Sequence, residues 1–176
     1  EANYRLQRWD EVEKWARHLL ENRIFDVTPE ESLTSAIAYA INERAINWMD
    51  EDRHDEAATD LLRLAAEFPQ SDLAPGALFN AAAIFERGDE VNRAVDVYIQ
   101  VVADYPESPQ APESLYVLGL IHEARADFSR AADYFERLAE ENYRSNENAA
   151  DSVFNAAVLR EAMEDWDGAI TTYERY

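Results

Sequence analysis

The sequence predicts an all-α protein assembled from repeated helical hairpins, and two observations lead to this fold class. The 176 residues include only four glycines and six prolines, while Ala, Glu, Arg and Leu are abundant. Such a composition favours helices. The stretches "EFPQSDLAPGALF" from Glu67 and "DYPESPQAPESLY" from Asp104 also repeat one turn 37 residues apart, and "ENYRSNENAADSVF" from Glu141 is a weaker third copy. Internal repetition of this length is typical of stacked helical units.

Four columns of residues keep the same register, at intervals of 37, 37 and 38 residues. Two columns hold small residues, which let neighbouring helices approach closely, and two hold large apolar residues, which fill the space around that contact. The small columns are Ala45, Ala82, Gly119, Ala157 and Ala57, Ala94, Ala131, Ala169; the large columns are Ile41, Leu78, Leu115, Val153 and Leu61, Tyr98, Phe135, Tyr173.

Proline and glycine mark the boundaries of each unit. Because proline lacks an amide donor, it is tolerated in the first turn of a helix and disrupts a helix interior. We therefore expect Pro75 and Pro112 to begin helices and Pro69 and Pro106 to follow helix ends. Gly88 suits the end of a first helix. Each unit is predicted to be helix, turn, helix, turn.

The N-terminal segment departs from the period. "RWDEVEKWARHLLENRIF" has the pattern of the second helix of an earlier unit, with Trp9, Val12, Trp15 and Leu19 pointing inward.

Thr28 is a suitable cap for the next helix, with Pro29 in its first turn. That helix is expected to run to about Met49, roughly two turns longer than its counterparts. The extension is interpreted either as added packing or as a docking platform.

The columns resemble the tetratricopeptide repeat, a helical hairpin of about 34 residues. The resemblance covers Ala36 to Tyr176. It implies a right-handed α-solenoid of antiparallel hairpins: residues 1–35 form an N-terminal helix, a degenerate half repeat, with an insertion, and residues 36–176 form four hairpins, the last truncated. The chain is expected to be a fragment of a longer protein. The turns "FPQS" and "YPES" are most similar to those of bacterial cell-envelope members, which implies the periplasm or envelope of a Gram-negative bacterium, with the cytoplasm as the alternative.

Charge and motifs argue against several function classes. The net charge is −21 and there is no cysteine, so nucleic acid and anionic lipid are disfavoured as partners and thiolate metal sites are excluded. No apolar run reaches the length of a membrane span, so no membrane insertion is expected. His18, His54 and His122 show no metal-ligand spacing, and we expect His122 to be a packed side chain.

The sequence also lacks a phosphate-binding or nucleophile motif. "MDEDRHDEA" from Met49 is interpreted as a solvated turn before a helix N-terminus, with weak calcium binding as the alternative. We predict no catalytic residue, metal or cofactor.

The resemblance implies that the first helices of the hairpins line a concave, protein-binding face. The predicted function is a non-enzymatic scaffold that binds a peptide or protein segment carrying apolar and basic residues. The alternatives are that the aromatic side chains only complete the core, and that the array is a structural spacer stacked on further repeats. We call the predicted residues the first-helix face: Asn42, Ile46, Phe79, Asn80, Ala83, Glu86, Tyr116, Leu120, Glu123, Phe154, Asn155 and Val158.

Overall fold

The computed structural model describes residues 2–24 and 29–175, with side chains described from Arg8 onward except that of Glu141. Within these ranges the chain forms helices and no strands. The α-helices are α1 (Ala2–Glu21), α2 (Glu30–Asp50), α3 (His54–Glu67), α4 (Ala74–Arg87), α5 (Val91–Asp104), α6 (Gln110–Ala124), α7 (Phe128–Leu138), α8 (Ala149–Ala162) and α9 (Trp166–Tyr173).

The chain divides into two compact units, Glu1–Ala94 and Val95–Tyr176. In the first, α2 packs against α1 and α3, and α3 packs against α4. In the second, α7 packs against α6 and α8, and α8 packs against α9. None of the described helices is long and apolar enough to cross a membrane.

The helix boundaries follow the predicted turn residues. α3 ends before Pro69 and α5 ends before Pro106, while Pro75 and Pro112 lie in the first turns of α4 and α6. The predicted cap Thr28 lies outside the described residues, and α2 begins at Glu30, just after Pro29. The predicted end and length of this helix are confirmed. It ends at Asp50 and has 21 residues, whereas α4, α6 and α8 have 14 or 15.

Each turn within a hairpin carries one residue in the left-handed region, and these residues keep the repeat period. Asp52, Asp89, Ala126 and Glu164 have φ values of 58°, 63°, 58° and 61°. Gly88 follows the end of α4 as predicted, but its φ is −81°, and Asp89 supplies the left-handed conformation. The period is therefore present in the backbone as well as in the side chains.

The columns of small and large residues form the core. All eight residues of the two small columns are buried, as are seven of the eight residues of the two large columns. Tyr98 and Phe135 are among the largest side chains that are fully buried, and Tyr173 is the exposed exception. Close packing of small against large residues therefore stabilises both units.

The prediction for α1 is wrong at Trp15, which is 63% exposed. The inward face of α1 instead contains Ala16 and Glu13, both almost fully buried. Glu13 is buried because arginines from two other helices reach it, which the spacing of apolar residues in α1 alone does not reveal.

An ion cluster joins α1, α2 and α3. Arg44 on α2 donates to both carboxylate oxygens of Asp60, at 2.7 and 2.8 Å, and to Glu13 at 3.1 Å. Arg63 on α3 donates to the same Glu13 oxygen at 2.9 Å, and Arg17 donates to the other at 2.9 Å. Buried charges are tolerated only when they are paired and hydrogen-bonded in this way.

This cluster shifts the pKa values of its members. Burial raises the pKa of Glu13, but the hydrogen bonds from Arg63 and Arg17 and the charges of Arg63 and Arg44 outweigh it, so the net pKa is lowered. The hydrogen bond to Asp60 raises the pKa of Arg44 against the opposing effect of burial. Both groups therefore remain charged at neutral pH.

Candidate binding face

All twelve predicted face residues lie on the first helices of hairpins, and none is fully buried. The α2 and α4 members belong to the first unit and the α6 and α8 members to the second. The exposed members are Ile46, Asn80, Glu86, Leu120, Glu123, Phe154 and Val158; the half-buried members are Asn42, Phe79, Ala83, Tyr116 and Asn155.

Four large apolar side chains on this face are each at least 40% exposed. Ile46 lies on α2, Leu120 on α6, and Phe154 and Val158 on α8. Phe154 and Val158 are four residues apart, so they share one helix surface. Exposed apolar side chains arranged by helical periodicity are the kind of surface that protein partners cover.

In the first unit, α2 and α4 enclose a cavity of about 290 Å³ that brings together several of the predicted residues. Asn42, Ile46 and Asn80 line it, with Met49 beside them. Two carboxamides and two apolar side chains therefore converge on one small cavity, a combination suited to a peptide backbone and one apolar side chain.

Two α4 residues that line this cavity, Ile84 and Arg87, were not predicted. They follow Asn80 by four and seven residues and so share its helix surface. Arg87 also donates from Nε to the carbonyl oxygen of Ala83 at 3.3 Å. The helical spacing from Asn80 is the signal that could have found both residues.

In the second unit, the ring of Tyr116 has a structural contact with the core. Its ring packs on that of Phe135, with 5.9 Å between centroids, and it covers a cluster of buried residues that includes Ala131 and Leu159. For Tyr116 the alternative interpretation, that it completes the core, is supported by this contact.

Phe154 lies at a more exposed position. Its ring is 6.1 Å from that of Tyr173, whose hydroxyl donates to Glu161 at 3.3 Å. Loss of solvent contact and the charge of Glu161 raise the pKa of Tyr173. Tyr173 therefore stays protonated at neutral pH and can act as a donor beside the apolar ring of Phe154.

The remaining candidates for chemistry have structural roles. His122 is buried, its Nδ1 lies 3.3 Å from Asp127 Oδ2, and its ring stacks near that of Tyr134, so the prediction of a packed histidine is confirmed. Asp55 and Glu56 lie in the first turn of α3, as predicted for the acidic stretch. Among the described residues, no group of His, Asp and Glu side chains is placed to hold a metal ion.

Comparison with known proteins identifies the repeats. Models of the tetratricopeptide repeat match residues 76–108 and 114–149. The chain contains tetratricopeptide repeats. No curated protein matches it. Repeats of this kind typically serve as non-enzymatic scaffolds for binding another protein or peptide.

Several solved structures share the fold at low sequence identity. BtubC (BKLC) from P. vanneervenii is 17% identical, with a TM-score of 0.58 over 99% of this chain and 89% of that one. MamA is 12% identical, with a TM-score of 0.54 over 95% and 85%. A Podosopora anserina protein with nearly identical TPR-like repeats is 15% identical, with a TM-score of 0.55 over 97% and 93%.

These similarities confirm the predicted fold class, an all-α α-solenoid of antiparallel helix hairpins. None of the named structures supports the narrower resemblance to bacterial cell-envelope proteins.

Proposed function

We propose that the first-helix face binds a segment of another protein that carries apolar anchors and flanking basic residues. This is the face that the repeat family places on the concave side of its arrays. The observation that carries the proposal is the exposure of Ile46, Leu120, Phe154 and Val158 on first helices. A partner that covers these side chains removes apolar area from water, which is the principal source of binding free energy.

The proposed mechanism is rigid presentation of preformed helices. Since the helices are ordered before binding, little backbone entropy on this side is lost on association. The carboxamides of Asn80 and Asn155 are suited to hydrogen bonds with a peptide backbone. The net charge of −21 accelerates the approach of a basic segment and disfavours acidic competitors.

The test uses peptides selected on the protein itself. Random dodecapeptides displayed on phage are selected against the wild type, and synthetic copies are titrated by fluorescence anisotropy. We expect the selected peptides to be rich in apolar and basic residues. Ile46→Asp and Leu120→Asp should each weaken binding at least tenfold, because a carboxylate replaces an exposed apolar contact.

Ile99→Asp is the matched control, since Ile99 is equally exposed but lies on α5, a second helix. Its affinity for the same peptides should stay within twofold of the wild type. Equal weakening by all three variants, or selection of no peptide, would contradict the proposed face. Circular dichroism establishes that each variant remains helical.

A structural spacer is the second candidate function, and the surface of α9 favours it. Trp166 and Ile170 are more than half exposed, whereas Ala58 and Ala132, which occupy the column of Ile170 in earlier hairpins, are buried. A spacer would stack such a face on a further helix. Analytical ultracentrifugation of wild type and Ile170→Asp tests this: concentration-dependent association only in the wild type supports the spacer, and a wild type that remains monomeric argues against it.

We propose the periplasm or cell envelope of a Gram-negative bacterium as the location, with the cytoplasm as the alternative. The support is the sequence of the linking turns "FPQS" and "YPES". Fractionation of the source cells followed by immunoblotting decides between the two compartments.

A further inference from the structure

The N-terminal half of α2 and the turn between α3 and α4 enclose a cavity of about 820 Å³, which we call the extension groove. Its walls are the α2 side chains between Glu31 and Tyr39 and the turn at residues 67–73. All of these residues belong to the first unit. The groove exists because α2 is longer than the other first helices, so its extra turns extend past the start of α4.

Aromatic and apolar side chains form part of the lining. Tyr39 is half exposed, Phe68 is partly buried in the turn, and Pro69 and Leu73 lie beside it. The rings of Trp9 and Tyr39 pack edge to face, with 5.7 Å between centroids and an interplanar angle of 78°. This contact restricts the ring of Tyr39 while leaving half of its surface accessible. Accessible aromatic rings of this kind bind guanidinium groups by cation–π contact.

The charged residues that line the groove are all acidic: Glu31, Glu67 and Asp72. Glu67 is engaged by Arg17, whose Nη2 lies 2.5 Å from its carboxylate. Glu31 and Asp72 stand on the two opposite walls, one on α2 and the other on the turn. A cation between them would be attracted by both carboxylates, and an anion would be repelled.

The groove lies on the same surface of α2 as the cavity shared with α4. Ser35, Ala38, Asn42, Ile46 and Met49 follow one another at steps of three and four residues and line the two cavities in turn. Ser35 and Ile46 are separated by about 17 Å along the axis, from a rise of about 1.5 Å per residue. An extended peptide spans that distance with about five residues.

We propose that the extension groove binds an arginine side chain of the segment held on the first-helix face, about five residues from an apolar anchor in the cavity beside Ile46. The guanidinium group stacks on Tyr39 or Phe68 and is held by Glu31 and Asp72. Arginine is preferred over lysine because its planar group can stack and hydrogen-bond at once. The inference rests on the proposed function, because the apolar anchor bound beside Ile46 determines where along the peptide the arginine must lie.

The probes are fluorescein-labelled dodecapeptides with a pair of leucines and one arginine placed two, five or eight residues away. Each has a partner peptide with glutamine in place of arginine. Affinity for the wild type should be highest for the spacing of five and at least tenfold lower for its glutamine partner. The paired substitution Glu31→Lys/Asp72→Lys should remove this difference and leave the affinity of the glutamine peptide within threefold of its wild-type value.

Glu107→Lys/Glu113→Lys is the control, because it changes the net charge equally on exposed acids of the next linking turn and α6. It should preserve the preference for arginine. An equal effect of the two charge reversals, an arginine preference independent of spacing, or no binding of any probe would overturn the inference.

Ile46→Asp separates this inference from the proposed function. If it weakens binding of the arginine and glutamine peptides alike while the charge reversal at Glu31 and Asp72 has no effect, the face stands and the arginine site is wrong. If Ile46→Asp has no effect while the charge reversal does, the proposed face is wrong.

Discussion

Gly119 on α6 lies directly against the ring of Phe135 on α7. A β-carbon at Gly119 would lie 2.7 Å from Cδ1 and Cζ of that ring, closer than real β-carbons approach other atoms. Phe135 is fully buried, so its ring has no solvent side toward which it can move. The absence of a side chain at Gly119 therefore allows the two helices of the hairpin to approach this closely.

Gly119→Ala should lower the free energy of unfolding by about 1–3 kcal/mol, the usual cost of overpacking a filled core. Urea denaturation followed by circular dichroism measures it.

Gly88→Ala is the control, because its added β-carbon would lie 3.4 Å from the Ile84 carbonyl oxygen and its φ is −81°, which alanine adopts freely. It should be neutral or stabilise by up to about 1 kcal/mol by restricting the unfolded chain. A Gly119→Ala protein as stable as Gly88→Ala would contradict the close contact.

An arginine joins the three N-terminal helices at a position that is apolar in the later hairpins. Arg44 occupies the column of Ala81, Leu118 and Ala156, all of which are buried. Glu13 is accommodated on the inward face of α1 because Arg44, Arg63 and Arg17 bind both of its oxygens. The attachment of α1 therefore depends on the ionisation of Glu13.

Glu13→Gln should destabilise the protein by about 3 kcal/mol near neutral pH, because it leaves three arginines without their shared partner. The pKa of Glu13 is lowered in the folded state from its ordinary value of 4.5. Its contribution is therefore fully present above pH 4.5 and is lost as the pH falls through the folded-state pKa. The stability difference between wild type and variant should shrink below pH 4.5 in urea titrations.

Glu11→Gln provides the comparison, since Glu11 is an exposed acid on the same helix. This substitution should change the free energy of unfolding by no more than about 0.5 kcal/mol, both near neutral pH and below pH 4.5. If Glu13→Gln costs the same at acid and neutral pH, the ionised carboxylate is not the source of the stabilisation.

The whole molecule carries 37 acidic and 16 basic residues, so repulsion among carboxylates opposes its compact state. Most of the acids are exposed, where salt screens their interactions. The ion cluster around Arg44 is buried and is screened less. Screening should therefore remove more repulsion than attraction.

Raising NaCl from about 20 to about 500 mM at neutral pH should increase the melting temperature by about 5 °C, because the Debye length falls well below the spacing of most surface charges. Thermal denaturation followed by circular dichroism measures it. The same titration near pH 4, where many carboxylates carry protons, should give a smaller increase. A melting temperature that falls with salt at neutral pH would mean that surface ion pairs outweigh the repulsion.

Much of the fold was predictable because the decisive interactions are local and repeated. Proline and glycine positions predict the ends of α3, α4 and α5, since they act through backbone geometry within one turn. The small and large columns predict the buried contacts, since four copies keep one register. The division into residues 1–35 and 36–176, and the twelve-residue binding face, remain predictions.

The sequence by itself determined the helices and the repeat register, because the turn residues act within one turn of backbone and four copies of each column keep one period. Only the tertiary structure decided that Trp15 is exposed and Glu13 buried, that Tyr116 packs on Phe135, and that the α2 extension and the turn after α3 enclose a groove. The physical reason is that a charge can be buried, or a cavity formed, only by groups from other helices that meet it in space.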